Sequence, residues 1–194
     1  MGRPPGSLRT ALVDAALSLI ESEGLASLSL RKVARASGVS HAAPAHYFKD
    51  LRGLLDAVAS RGYAGLLASM QAPIAGSTSL DRFGQVGRGY VLFAARHEGL
   101  YRAMFHPQLA KDPQPHDEHR KAAELTFAYV VSVVAACQRD NLVRAGDPIE
   151  LSTLAWSTVH GAGALLLDGH IPGPPQSVAD SVVHNLFLGF RVDS

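Results

Sequence analysis

The chain has 194 residues, of which 18 are Lys or Arg, 17 Asp or Glu and 9 His, with 47% hydrophobic; this is enough chain to bury a substantial core and not the composition of a disordered one. A net charge of +1 announces no polyanionic partner, and a lone cysteine, Cys137, excludes an internal disulfide and any zinc site of several thiolates. The richest apolar run, Phe127 to Cys137, falls short of the roughly 18–20 residues that span a bilayer, and no apolar segment follows Met1-Gly2-Arg3-Pro4-Pro5-Gly6 as a secretory signal requires, so a cytoplasmic protein with no membrane partner is expected.

Helical punctuation then runs from end to end. From Ser7 to Glu23, Leu8, Ala11, Leu12, Ala15, Ala16, Leu19 and Ile20 form one apolar stripe, and Gly24 supplies the stop. Ser29 caps a short helix over 30–36, and Ser40 is placed to cap a third that reaches Tyr47 or Phe48. A helix from Leu51 to about Met70 closes before Pro73, and Thr78 with Asp81 makes a capping box for a helix to Arg96. Leu100 to Phe105 reads as a short helix, and His106 to His119, with Pro107, Pro113 and Pro115, as mostly loop. A long helix follows over Glu118 to Asn141. Asp147-Pro148-Ile149-Glu150 then opens another that runs to Asp168, and Ser177 with Asp180 opens the last, to about Arg191. The fold class is therefore all-α: a three-helix N-terminal domain over 1–50, then a helical bundle over 51–194.

Within the N-terminal part, 29–48 has the requirements of a helix-turn-helix. Two short helices crossing closely favour a small residue, Ala34; the turn favours a glycine, Gly38; Val39 can plug the core. The second helix has Pro44, Tyr47 and Phe48 for its inner face and small residues, Ala42, Ala43 and Ala45, elsewhere. Residues 1–50 also carry six basic groups against four acidic ones. An ordinary helical hairpin would satisfy the same local pattern.

Residues 8–58 resemble the DNA-binding domain of TetR-family transcriptional regulators, the tetracycline-repressor type. The resemblance is carried by the first amphipathic helix, Leu30-Arg31-Lys32-Val33-Ala34, the run Gly38-Val39-Ser40-His41-Ala42-Ala43-Pro44-Ala45-His46-Tyr47-Phe48, and Lys49-Asp50-Leu51-Arg52-Gly53-Leu54-Leu55. Downstream, His97-Glu98-Gly99-Leu100-Tyr101-Arg102-Ala103-Met104-Phe105 is similar to a segment of the family's ligand domain. Trp156-Ser157-Thr158-Val159-His160-Gly161 resembles the Trp-His-Gly signature of one C-terminal subclass.

The resemblance implies a homodimer, probing adjacent major grooves of a palindromic double-stranded DNA operator, released by a small-molecule effector and needing no cofactor. A recognition helix docks with its N-terminal end toward base edges. That places Ser40, His41, Ala42 and His46 in the groove, where Ala42 and Ala43 offer only apolar contact, as to a thymine methyl. Ser29, Arg31, Tyr47 and Lys49 are set for phosphates; Arg3 and Arg9 could add backbone contacts. Pro44 removes an early helical hydrogen bond and disfavours α geometry at Ala43, so this helix is expected either to start late or to be distorted. Ala45 stands where the family often carries an aromatic.

For the effector, the bundle offers polar tips on apolar walls. Tyr101, Met104, Phe105, Phe127, Trp156 and His160 are the candidate ligand-binding residues, with ordinary core packing as the other reading, and together they suit a partly apolar compound. The last two helices, with Val178, Val182, Val183, Leu186, Phe187 and Phe190, are the candidate dimer seam. His116 and His119, with Asp117, Glu118 and His106, have zinc-like spacing but read as loop residues, so no metal is expected. Ser157 with His160, or Cys137 with a histidine, lacks an oriented acid and oxyanion signal, so no catalytic residue is assigned and the chain reads as no enzyme. The alternative is a small-molecule carrier or helical enzyme without sequence-specific DNA binding.

Overall fold

A computed structural model describes residues 5–73, 78–111 and 117–192. Its helices are α1 (Pro5–Glu23), α2 (Leu30–Ala36), α3 (Ala43–Phe48), α4 (Leu51–Met70), α5 (Ser79–Arg96), α6 (Glu98–Met104), α7 (Pro107–Lys111), α8 (Glu118–Arg139), α9 (Pro148–Leu167) and α10 (Pro175–Phe190), with a 3-10 turn at Leu25–Ser27. The all-α expectation holds: the strand-like pairing among the described residues is an isolated bridge between Val143 and Arg191. The chain forms two compact units, one of Met1–Tyr63 and Gly99–Ala122, the other of Ala64–Glu98 and Ala123–Ser194.

In the first unit α1, α2 and α3 pack on one another. The stripe of α1 becomes core at Leu12, Ala16 and Ile20, which are buried with Val33, Ala34 and Phe48. Ser29 caps α2, its hydroxyl accepting from the Lys32 N–H at 3.2 Å. Gly38 turns the chain at φ +67°, a region L side chains avoid, and the Val39 N–H then returns to the Ala34 carbonyl at 3.1 Å. Ser40 does not cap α3. The N-cap is Ala42, with no side-chain cap, because Pro44 can be accommodated only in the first turn, where its missing N–H has no helical partner to lose. The late start leaves α3 six residues.

The link from α3 to α4 is tight. Lys49 has φ +64°, the Asp50 side chain accepts from the Gly53 N–H at 2.9 Å, and a Cβ on Gly53 would lie 2.0 Å from the Phe48 carbonyl oxygen. Met104 fills the space above Gly62, where a Cβ would meet its Cγ at 2.5 Å, and so fits α6 against α4.

In the second unit α5, α9 and α10 pack on one another around Tyr90, Val91, Val183 and Phe190. The Thr78–Asp81 capping box is present, and Asp147 accepts from the Ile149 N–H at 2.8 Å at the start of α9. The last helix begins at Pro175 rather than Ser177, because a proline's fixed φ already suits a first turn. Pro107 likewise opens α7 inside the stretch expected to be loop; Pro113, Pro115 and His116 lie outside the described residues. The Arg144 N–H bonds to the Phe190 carbonyl at 2.8 Å, tying the α8–α9 connection to the end of α10.

Candidate nucleic-acid interface and apolar cleft

The helix-turn-helix presents one polar end. Ser40, His41, Ala42 and His46 are exposed, Ala43 is half-buried, and Pro44 and Phe48 face the core. Tyr47 is half-buried and edge-on to His46, with ring centroids 5.3 Å apart, so its ring braces that histidine. Lys49 and Arg31 are exposed. The Ser29 hydroxyl is engaged as a cap, Lys32 pairs with Glu23 at 2.6 Å, and Arg9 pairs with Glu118 at 2.6 Å while lying over the Phe48 ring. Arg31, Arg35 and Lys49 are exposed cations outside these pairs. Arg3 lies outside the described residues.

Behind that face, in the same unit, α4 meets the start of α8 through a polar cluster. Arg52 makes a two-pronged bond to Asp117, at 2.9 and 2.7 Å, with the Asp117 side chain almost fully buried. Asp56 accepts the backbone N–H groups of Glu118 and His119, at 3.1 and 3.0 Å, and its Oδ1 lies 2.5 Å from His119 Nδ1. Burial alone would raise the Asp56 carboxyl, but these hydrogen bonds outweigh it and hold the group below its ordinary value. Asp56 thus caps α8 from another helix. Asp56, Asp117 and His119 bring ligand-type atoms within 4.8 Å of one another, yet Arg52 and the α8 backbone already occupy both carboxylates. The histidine with zinc-like spacing serves here as a partner of a capping carboxylate.

The second unit encloses an apolar cleft. Its walls come from α5 (Phe83, Val86, Tyr90), α8 (Val134), α9 (Trp156) and α10 (Val183), and the space open to water-sized spheres is about 20 Å³. At one wall the buried Tyr90 hydroxyl lies 2.9 Å from His160 Nδ1, and the Tyr90 and Phe127 rings each meet Trp156 edge-on at 5.6 Å. Burial lowers the pKa of His160 below 6.5, which favours the neutral ring. Cys137 is buried with its thiol pushed up to about 11 by burial and by Asp140, so it stays protonated near neutral pH and is a poor nucleophile.

Two family models match this chain. One, described as bacterial regulatory proteins of the tetR family, covers residues 12–58; the other, described as a tetracyclin repressor-like C-terminal domain, covers 83–186, more than half of the chain. The chain belongs to the TetR family. A solved structure of a protein of unknown function from Rhodococcus sp. RHA1 is 31% identical, covers 98% of this chain and all of its own, and superimposes with a TM-score of 0.84. A putative TetR-family transcriptional regulator from Rhodococcus sp. shares the fold at 18% identity and a TM-score of 0.74, over 94% of this chain and 98% of that one. The HTH-type transcriptional regulator BetI of Cronobacter sakazakii is 45% identical over 49 residues, a quarter of this chain and 24% of that protein.

Within this TetR-family chain the six aromatic, sulfur and imidazole side chains singled out from the sequence fall into both units. Tyr101, Met104 and Phe105 belong to the first, where Phe105 packs on Tyr101 and Tyr63 at 5.1 and 6.0 Å. Phe127, Trp156 and His160 belong to the second, and of these Trp156 lines the cleft, with Phe127 edge-on to it and His160 bonded to Tyr90. The six valines of the wall carry no sequence signal for a cleft, since a buried valine reads as core in any helix. Asp56 and Gly53 were also not singled out.

Proposed function

We propose that this TetR-family chain is a non-catalytic, DNA-binding transcriptional regulator, a repressor that binds a palindromic operator as a homodimer in the cytoplasm and is released by a small effector. The observation that carries the reading is the helix-turn-helix itself, in which the turn before α3 leaves Ser40, His41 and Ala42 exposed and α3 leaves His46 exposed, flanked by Lys49 and Arg31. Groove-facing groups specify sequence, and the flanking cations position the protein on phosphates. Selection from a random duplex pool at fixed moderate salt tests this: an enriched inverted repeat is expected, and folded protein that enriches nothing overturns it. On that operator His41→Ala and His46→Ala lose base preference, whereas Lys49→Ala weakens every duplex alike and flattens the salt dependence by about one phosphate contact. Unchanged preference in both histidine variants would misplace the reading face.

The dimer part of the proposal rests on α9 and α10. Ile149, Leu154 and Leu165 on α9 and Leu188 on α10 are exposed large apolar side chains, and a Cβ on Gly161 or Gly189 would meet nothing within 4 Å in this chain. Small residues beside exposed leucines admit a second copy's helix closely. Gly161→Leu should therefore keep a helical circular-dichroism spectrum yet sediment as a monomer. A Gly161→Leu protein that remains dimeric places the seam elsewhere.

A further inference from the structure

The cleft of the second unit says what kind of molecule it can take. Among the described residues its lining includes no Lys, Arg, Asp, Glu or His. Tyr90 and Trp156 are the lining side chains that carry a polar atom, and the Tyr90 hydroxyl is already turned to His160. An ionised ligand would leave water for a wall with nothing to pair its charge, which disfavours carboxylates and ammonium ions alike. An aromatic ring, in contrast, meets Phe83, Tyr90 and Trp156, which already pack edge-on with their neighbours.

Size adds a second constraint. About 20 Å³ is room for about one water, so a ring can enter only if the helices part. At Gly87 of α5 the three helices come close together: a Cβ there would lie 2.5 Å from Val183 Cγ2 on α10 and 3.7 Å from Val159 on α9. A ligand wedged here can bind only the parted arrangement, so its affinity for the closed one is negligible. That difference between states is what a ligand needs in order to shift a conformational equilibrium.

We propose that the effector is an uncharged, single-ring aromatic compound that enters between α5, α9 and α10 beside Gly87 and Trp156, parting α10 from α5 as it binds. The assignment of this compound as an effector rests on the regulatory reading above; the cleft's ligand class does not.

Trp156 is the chain's lone tryptophan, so its fluorescence reports this cleft alone. The probes are toluene, benzoate and benzylammonium, which share a ring and differ in charge, titrated into the full chain without DNA. Toluene is expected to shift Trp156 emission saturably, and the two ions to leave it unchanged at equal concentration. Ala155→Leu, which adds carbons to the lining, should weaken toluene about tenfold, and Val183→Ala, which frees space opposite Gly87, should strengthen it about threefold. Ions that bind as well as toluene, or toluene binding indifferent to Val183→Ala, overturn the assignment. Toluene that fails to bind a protein still holding its operator also overturns it and leaves the DNA reading standing. Toluene that binds as expected but leaves operator affinity unchanged upholds the cleft and removes ligand response from the proposed function.

Discussion

Replacing Asp117 with alanine is expected to lower the melting temperature by about 10 °C at fixed protein concentration. The Arg52 guanidinium is only 18% exposed and Asp117 only 3%. Removing the carboxylate leaves a largely buried guanidinium with these two bonds of 2.9 and 2.7 Å unmade. Breaking a buried pair from one side costs about 3–5 kcal/mol, whereas replacing both partners with apolar residues of similar volume costs far less. Arg52→Met combined with Asp117→Leu should therefore melt above Asp117→Ala, a non-additivity measured by a double-mutant cycle. An Asp117→Ala protein as stable as the parent would show that the pair contributes nothing.

Gly53→Ala should cost at least about 3 kcal/mol, by a different route. The added carbon would sit 2.0 Å from the Phe48 carbonyl oxygen, a backbone atom that cannot rotate away. Relief requires moving either the last turn of α3 or the first turn of α4, and the Asp50–Gly53 bond of 2.9 Å fixes the link between them. The variant is thus expected both to melt lower, by about 6–12 °C, and to lose affinity for DNA at temperatures where it is still folded. A Gly53→Ala protein with parental affinity and melting point would mean that the α3–α4 link is looser than its geometry.

What the sequence made legible was local. The Ser29 cap, the Thr78–Asp81 box and the Asp147-Pro148 start are each decided by residues two or three apart, so the pattern holds all the information needed. Pro44 was equally legible as the residue that delays α3, although the start it allows is Ala43 with no side-chain cap. The cap of α8 was not legible, since Asp56 stands 62 residues before the first N–H it accepts. Gly53 looks like any glycine near a helix start; only the path of the chain through Lys49 brings it onto Phe48. The cleft was half legible: Trp156 has a side chain unusual enough to notice, whereas Val86, Val134 and Val183 differ from other core valines only in what they face.

The first compact unit is assembled from two stretches of chain, Met1–Tyr63 and Gly99–Ala122. That discontinuity governs how such a protein can be taken apart. A fragment cut after α4 carries Arg52 and Asp56 away from Asp117, Glu118 and His119, breaking both Arg52–Asp117 bonds and the three that Asp56 makes with the missing piece. Transplanting the DNA-facing part onto a foreign sensor therefore means grafting both stretches together. Gene fusion at a single crossover point would export an unfinished module.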